Sequence, residues 1–363
     1  MKILLAAGVF YPDVGGPAIH VQKIAERLAA GGLRVQVVAY GDDPSNTQFK
    51  FKVTRISRKL PKNIQWFFYL ALVIWHSSFS KIVYAFDPTA AGVPARIATS
   101  IFHKPFLIRV GGDPIWEREA EMGRRFLPLE KYYEQGLYLK DKPILYNIIR
   151  WVLKGSCRMV VYNQNFKNFY AKYFDVPAEK ITVIKNPVFK REQGSNILPE
   201  DPIILFAGRF VAYKNLPLVI KAVENVGKGK LVLIGSGPEK DKLHGSRVAI
   251  LKSLSQEKLF EHIKQSAICI GPALSEFNPN FILEALSFGK PVLLSRGHGL
   301  SVELPEEFLF DPMDQRELER KLHYILQPEN YERAVNMVNN LPLRQSWEDV
   351  TSAHLDIIET CIK

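Results

Sequence analysis

Short apolar runs alternate with helical patterns along the whole chain, and that alternation restricts the fold more than any other feature. Residues 2–8, 33–39, 82–86, 105–110 and 159–162 read as buried strands in the first half, as do 203–207, 231–234, 248–251 and 291–294 in the second. Helical patterns at about 18–30, 64–79, 89–102 and 165–173 separate the strands of the first half. Strands apolar on both faces and joined through helices belong to parallel sheets covered on either side. A length of 363 residues, 47% of them hydrophobic, supplies two such domains with a core each. The polar stretch 189–201, with Gly194 and Pro199, reads as a linker. The expected division is therefore 1–188, 202–345 and a closing amphipathic helix at 346–363.

The stretch most specific in its chemistry runs from Ser275 to Val292. Asn278 is placed to cap a helix and Pro279 suits its first position, while Phe281, Ile282, Leu283, Ala285, Leu286 and Phe288 give it a buried face that Gly289 ends. Glu276 then lies just ahead of the helix and Glu284 on its second turn. Both carboxylates can border one cavity beside free N–H groups that attract phosphate or sugar oxygens. The alternative reading makes Glu276 a complement to the helix dipole and Glu284 part of a solvated face. Glu284 stands among apolar residues, however, where a carboxylate needs a partner.

The spacing of Glu276 and Glu284, followed by Ala285-Leu-Ser-Phe-Gly-Lys-Pro-Val, resembles the signature of the retaining GT-B glycosyltransferases of family 4. The resemblance implies two doubly wound Rossmann-like α/β domains with a cleft between them, and transfer of a hexosyl or N-acetylhexosaminyl group from a nucleotide sugar. Arg209 and Lys214, at a strand-to-helix junction, are similar to the pair that holds the donor diphosphate in that family. Breaking the sugar–phosphate bond builds negative charge on the leaving group, and two cations there stabilise it. By the same resemblance Glu284 binds the donor ribose and Glu276 lies beside the donor sugar. Backbone amides from Phe277 through Asn278 and Asn280 to Phe281 hold sugar hydroxyls, and Gly15 and Gly16 border the phosphates, although two glycines also suit any tight turn.

The sequence has no D-x-D motif, so the implied reaction is metal-independent, with a UDP- or GDP-linked sugar as substrate and no cofactor. One position departs from the family pattern. A histidine near the acceptor often follows the 105–110 strand, and here Gly111 stands in its place. Asp113 is the nearest ionisable group for a catalytic role on the acceptor side, or else a cap ahead of Pro114. Glu117, Glu119 and Glu121 read as a charged helix face that Arg124 and Arg125 can neutralise.

The net charge of +11 is unevenly spread: residues 1–191 hold 29 basic and 14 acidic side chains, and residues 192–363 hold 19 and 23. Residues 44–86 carry seven basic and no acidic side chains, beside Trp66, Phe67, Phe68, Tyr69 and Trp75. That combination suits a surface resting on anionic lipid, or alternatively a solvated basic face. No nucleic-acid-binding signature accompanies it. The longest apolar run, residues 66–75, is too short to span a bilayer. The start of the chain reads as a strand rather than a signal peptide. Cys157, Cys269 and Cys361 show neither metal-ligand nor disulfide spacing, which suits a reducing compartment. The expected setting is cytoplasmic, peripheral at the inner membrane face, with a saccharide or lipid-linked acceptor in surface polysaccharide or glycolipid synthesis. Two rivals share the architecture: a non-catalytic nucleotide-sugar-binding relic and a sugar-nucleotide epimerase.

Overall fold

The computed structural model describes residues 1–13, 16–42, 48–191 and 197–362. The first part of the chain forms β1 (Lys2–Ala7), α1 (Gly16–Ala30), β2 (Arg34–Tyr40), β3 (Lys52–Ile56), α2 (Lys62–Ser78), β4 (Ile82–Ala85), α3 (Gly92–Phe102), β5 (Phe106–Arg109) and α4 (Pro114–Glu121). Next come α5 (Leu129–Glu134), α6 (Leu137–Asp141), α7 (Pro143–Lys154), β6 (Arg158–Val161), α8 (Gln164–Phe174), β7 (Ile181–Val183) and β8 (Val188–Phe189). The second part forms β9 (Ile203–Arg209), α9 (Leu216–Val226), β10 (Lys230–Ser236), β11 (Val248–Leu251), α10 (Gln256–Gln265), β12 (Ile268–Gly271), α11 (Asn280–Ser287) and β13 (Val292–Ser295). It closes with β14 (Leu309–Phe310), α12 (Gln315–Ile325), α13 (Pro328–Asn339), β15 (Arg344–Gln345) and α14 (Trp347–Ile362).

Two parallel sheets result, one of seven strands in the order β3-β2-β1-β4-β5-β6-β7 and one of six in the order β11-β10-β9-β12-β13-β14. Their register sets Leu5 between Val37 and Tyr84, all fully buried, so the strands are apolar on both faces as the sequence required. Strand order reverses between β1 and β4 in the first sheet and between β9 and β12 in the second. Beyond the carboxyl ends of such a pair, the connecting chains leave to opposite faces and open a crevice for ligand.

The chain forms two compact units, one made of Met1–Ile115, Tyr138–Asn186 and the residues from Ser346 onward, the other of Trp116–Leu137 and Pro187–Gln345. In the first, Val21, Ile24 and Leu28 of α1 and Val350 and Ile358 of α14 bury β1, β2 and β4. In the second, Val219 of α9, Leu283 and Leu286 of α11 and Leu322 of α12 do the same for β9, β10 and β12.

Four expectations change. Residues 116–137, expected in the first domain, group with the second, where the Leu129 N–H donates to Ser275 Oγ at 2.9 Å and Trp116 packs on Tyr213. The stretch expected as a linker begins inside β8, which pairs antiparallel with β15. The cap of α11 is Pro279 rather than Asn278, whose Nδ2 donates to Asn280 Oδ1 at 2.7 Å instead of its oxygen capping the helix. Cys157 and Cys361, expected as free thiols, form a disulfide with Cα atoms 6.0 Å apart, because α14 returns to the first unit and brings Cys361 back across 204 residues of sequence; Cys269 is buried and free. Among the described residues no helix is long and apolar enough to cross a membrane.

Candidate active site

β9 carries the chain to the point of strand reversal in the second sheet and ends on Arg209. Gly235 and Gly237, at the end of the neighbouring β10, let the backbones come together here: a Cβ on Gly235 would lie 1.9 Å from the Gly208 carbonyl oxygen, and one on Gly237 2.3 Å from that of Phe210. Only glycine permits this approach. The chain then makes a single 3-10 turn, Ala212–Lys214, and Asn215 turns it into α9 with a left-handed φ of 51°. Asn215 is fixed by donating Nδ2 to the Pro312 carbonyl at 2.7 Å.

The loop after β12 meets this turn. The Leu274 N–H donates to the Tyr213 carbonyl at 2.8 Å and the Glu276 N–H to the Gly297 carbonyl at 3.1 Å. These bonds set Glu276 against Lys214, whose Nζ donates to Glu276 Oε1; both side chains are largely buried. Lys214 also lies over the Tyr213 ring, 5.0 Å from its centroid. Burial, and after it the charge of Arg209, pushes the Lys214 ammonium down to about 7, while Glu117 and Glu121 act in the opposite direction. The Glu276 carboxylate works with those two, since an adjacent opposite charge favours the ammonium. Arg209 is more exposed: its Nη2 sits 2.5 Å from Glu121 Oε1 and donates to Tyr213 Oη at 3.4 Å.

Glu284, on α11, accepts from Gln256 Nε2 at 3.2 Å, which is the partner its apolar setting demanded. Burial raises its pKa, opposed by that hydrogen bond and by Arg191. Asn278 Oδ1 is buried with no hydrogen-bond donor among the described residues. His298 is held neutral by burial, at about 4, and accepts from the Leu300 N–H through Nδ1, so it is a loop brace.

Residues 189–343 match the family described as Glycosyl transferases group 1, and residues 14–189 match Glycosyltransferase Family 4. The chain belongs to the GT-B glycosyltransferases of the family 4 type. This transferase is 24% identical over 339 residues to an uncharacterised glycosyltransferase of Methanocaldococcus jannaschii, covering 83% of this chain and 82% of that one. Its fold is similar to that of Anabaena HepE in complex with UDP and glucose, with a TM-score of 0.76 at 17% identity over 99% of this chain and 100% of that one. It is also similar to sucrose-phosphate synthase from Thermosynechococcus elongatus, with a TM-score of 0.74 at 17% identity over 99% and 98% of the two chains.

Of the residues singled out in the sequence, the transferase brings Arg209, Lys214 and Glu276 into one cluster, with Phe277, Asn278, Asn280 and Phe281 leading from it into α11. Gly16 begins α1 in the other unit, and Gly15 lies outside the described residues. Asp113 is fully buried and accepts from the Ile115 N–H at 3.0 Å, the bond of a residue capping α4. Gly111 has a physical reason to lack a side chain: a Cβ there would lie 2.6 Å from Tyr162 Oη. Three participants were not expected. Tyr213 lies between the two cations, Gln256 holds Glu284, and Glu121 pairs with Arg209 rather than with Arg124 or Arg125. Tyr213 had a signal in its position next to Lys214, but Glu121 had none beyond its charge.

Proposed function

We propose that this transferase moves a hexosyl or N-acetylhexosaminyl group, with retention, from a UDP- or GDP-linked donor to a saccharide or lipid-linked acceptor. The observation that carries the reading is the Lys214–Glu276 pair beside Arg209 at the strand-reversal point of the second sheet. As the bond from the sugar to the diphosphate breaks, its electron pair goes to the leaving oxygen, and Lys214 and Arg209 neutralise that charge without a metal ion. Glu276 orients the Lys214 ammonium and stabilises positive charge on the sugar ring. Amides of Phe277, Asn278, Asn280 and Phe281 and the buried Asn278 Oδ1 hold sugar hydroxyls, and Glu284 takes the ribose. Asp113, fully buried and accepting from the Ile115 N–H through Oδ1, is the acceptor-side candidate of this reading, or else a cap of α4.

A peripheral location at an anionic membrane surface, in surface polysaccharide or glycolipid synthesis, completes the proposal; the Cys157–Cys361 disulfide withdraws the argument from free thiols for a reducing, cytoplasmic setting. Trp66, Phe67, Phe68 and Trp75 of α2 and Ile144 and Trp151 of α7 are exposed, Phe67 at 65% and Ile144 at 76%. Exposed Lys59 and Lys62 lie beside and at the start of α2, which supports a face resting on anionic lipid. Tyr69 is not part of it: it is buried and donates to the carbonyls of Ala7 and Val38.

The test is nucleotide release from a panel of UDP- and GDP-sugars, with and without lipid extract on anionic vesicles, for the wild type and Glu276→Ala. Release that needs one donor and the lipid, and that drops about 100-fold or more in the variant, is the expected outcome. A bound donor that is never cleaved would favour a binding protein, and a new nucleotide sugar formed without acceptor would favour an epimerase.

A further inference from the structure

The cationic loop after β9 is already occupied by carboxylates from a distant part of the chain. Glu121, the last residue of α4, reaches Arg209 at 2.5 Å. Glu117 stands four residues earlier, one turn up the same helix face. Both carboxylates bear on the charge of Tyr213 and Lys214 as well. Glu121 thus meets one of the two cations that, on the reading above, receive a diphosphate, and Glu117 on the same face of α4 acts on the other through its charge.

The placement is built. Trp116 packs on Tyr213 with ring centroids 5.2 Å apart and donates Nε1 to the Leu127 carbonyl at 2.8 Å. The Leu129 N–H is held by Ser275 Oγ, one residue before Glu276. Between these anchors, Gly123 turns the chain with a φ of 66° close over Ala212, where an added Cβ would lie 3.8 Å from the alanine methyl. The segment from Trp116 to Leu129 therefore spans the diphosphate loop at one end and the Glu276 loop at the other.

We infer that Glu121 is the resident counter-ion of the diphosphate site, and that donor binding exchanges its carboxylate on Arg209 for diphosphate oxygens. The inference rests on the assignment of Arg209 and Lys214 to the diphosphate. Glu121 is a positioning residue: it keeps the guanidinium aimed when no donor is bound and competes with the donor when one arrives. No covalent step is involved. An exposed ion pair contributes little, so the competition is modest, about two- to five-fold in affinity.

The experiment is isothermal titration of UDP, GDP and inorganic pyrophosphate into the wild type, Glu121→Gln, Glu121→Ala, Arg209→Gln and the double variant Glu121→Gln/Arg209→Gln. The inference expects the wild type's preferred nucleotide, and pyrophosphate, to bind about two- to five-fold more tightly to both Glu121 variants. Arg209→Gln should weaken binding, and Glu121→Gln should add nothing in its background. A structural role for Glu121 would not produce that dependence on Arg209. If Arg209→Gln weakens binding while the Glu121 variants bind no more tightly than wild type, the counter-ion role is wrong and the diphosphate assignment stands. If Arg209→Gln leaves binding unchanged, both fall.

Discussion

Two arginines each close a strand near the strand-reversal point of a sheet, and their surroundings could hardly differ more. Arg209 ends β9 with its side chain 62% exposed and an ionised partner, Glu121, within 2.5 Å. Arg109 ends β5 at 2% exposure, and its hydrogen-bond partners among the described residues are neutral: Nη1 meets His354 Nε2 at 3.0 Å and Nη2 donates to Asn186 Oδ1 at 2.7 Å. Its guanidinium lies over the Tyr162 ring at 4.5 Å, and His354 Nδ1 pairs with Tyr84 Oη at 2.9 Å. One topology has produced an open ionic site in one unit and a sealed polar cluster under α14 in the other. The strand order fixes where side chains converge, and the groups that cover that place determine whether it can take a ligand.

The comparison breaks most easily at the open end. Lys214→Ala should lower turnover by about 100- to 1,000-fold in the nucleotide-release assay if, as proposed, Lys214 faces the leaving group; near wild-type turnover would make this loop as structural as the other. At the sealed end the expected damage is to stability. His354→Ala removes a fully buried ring and strands its partners Tyr84 and Arg109, which costs about 2–4 kcal/mol in urea unfolding. A loss of a few tenths would show that the cluster holds nothing together.

A smaller effect sharpens the contrast through pH. Burial, with Arg109 as the next cause, holds His20 and His354 well below the ordinary histidine value, so the folded state keeps both neutral. The unfolded chain takes up those protons near 6.5. Stability is thus fully present above that pH and falls below it, by about 1.4 kcal/mol per pH unit for each histidine. His20 Nε2 is buried without a hydrogen-bond partner among the described residues, so His20→Phe should flatten the decline between pH 7 and pH 5. An unchanged slope in urea titrations at the two pH values would count against buried neutral histidines as its source.

How much of this was legible in the sequence depended on whether the signal was local. The strands buried on both faces announced themselves as apolar runs, and Glu276, Arg209 and Lys214 stood at positions where a strand hands over to a helix, with Glu284 inside the helix that follows Glu276. β3 was not visible because an edge strand carries charge, here Lys52 and Arg55, and so lacks an unbroken apolar run. The Asn278 cap failed because a proline in the next position can itself flank the helix, leaving the amide to bond within the loop. The disulfide and the Glu121–Arg209 pair were illegible for one reason: each joins residues far apart in the chain, and alternate glutamates on a helix look the same whether they face water or a distant arginine.

The segments that cross between the units have a consequence for how such a chain can be made or recombined. The first unit lacks α14, with Val350, His354 and Ile358, until the ribosome has passed the whole of the second, so its core closes last although its strands emerge first. The second unit, cut out as 187–345, would lose Trp116 from beneath Tyr213 and Glu121 from Arg209. A chimera joined at one crossover near residue 187 would therefore set one parent's α4 against the other parent's Arg209–Lys214 loop. Two natural transferases should exchange donor preference cleanly only when residues 116–137 travel with the half they serve.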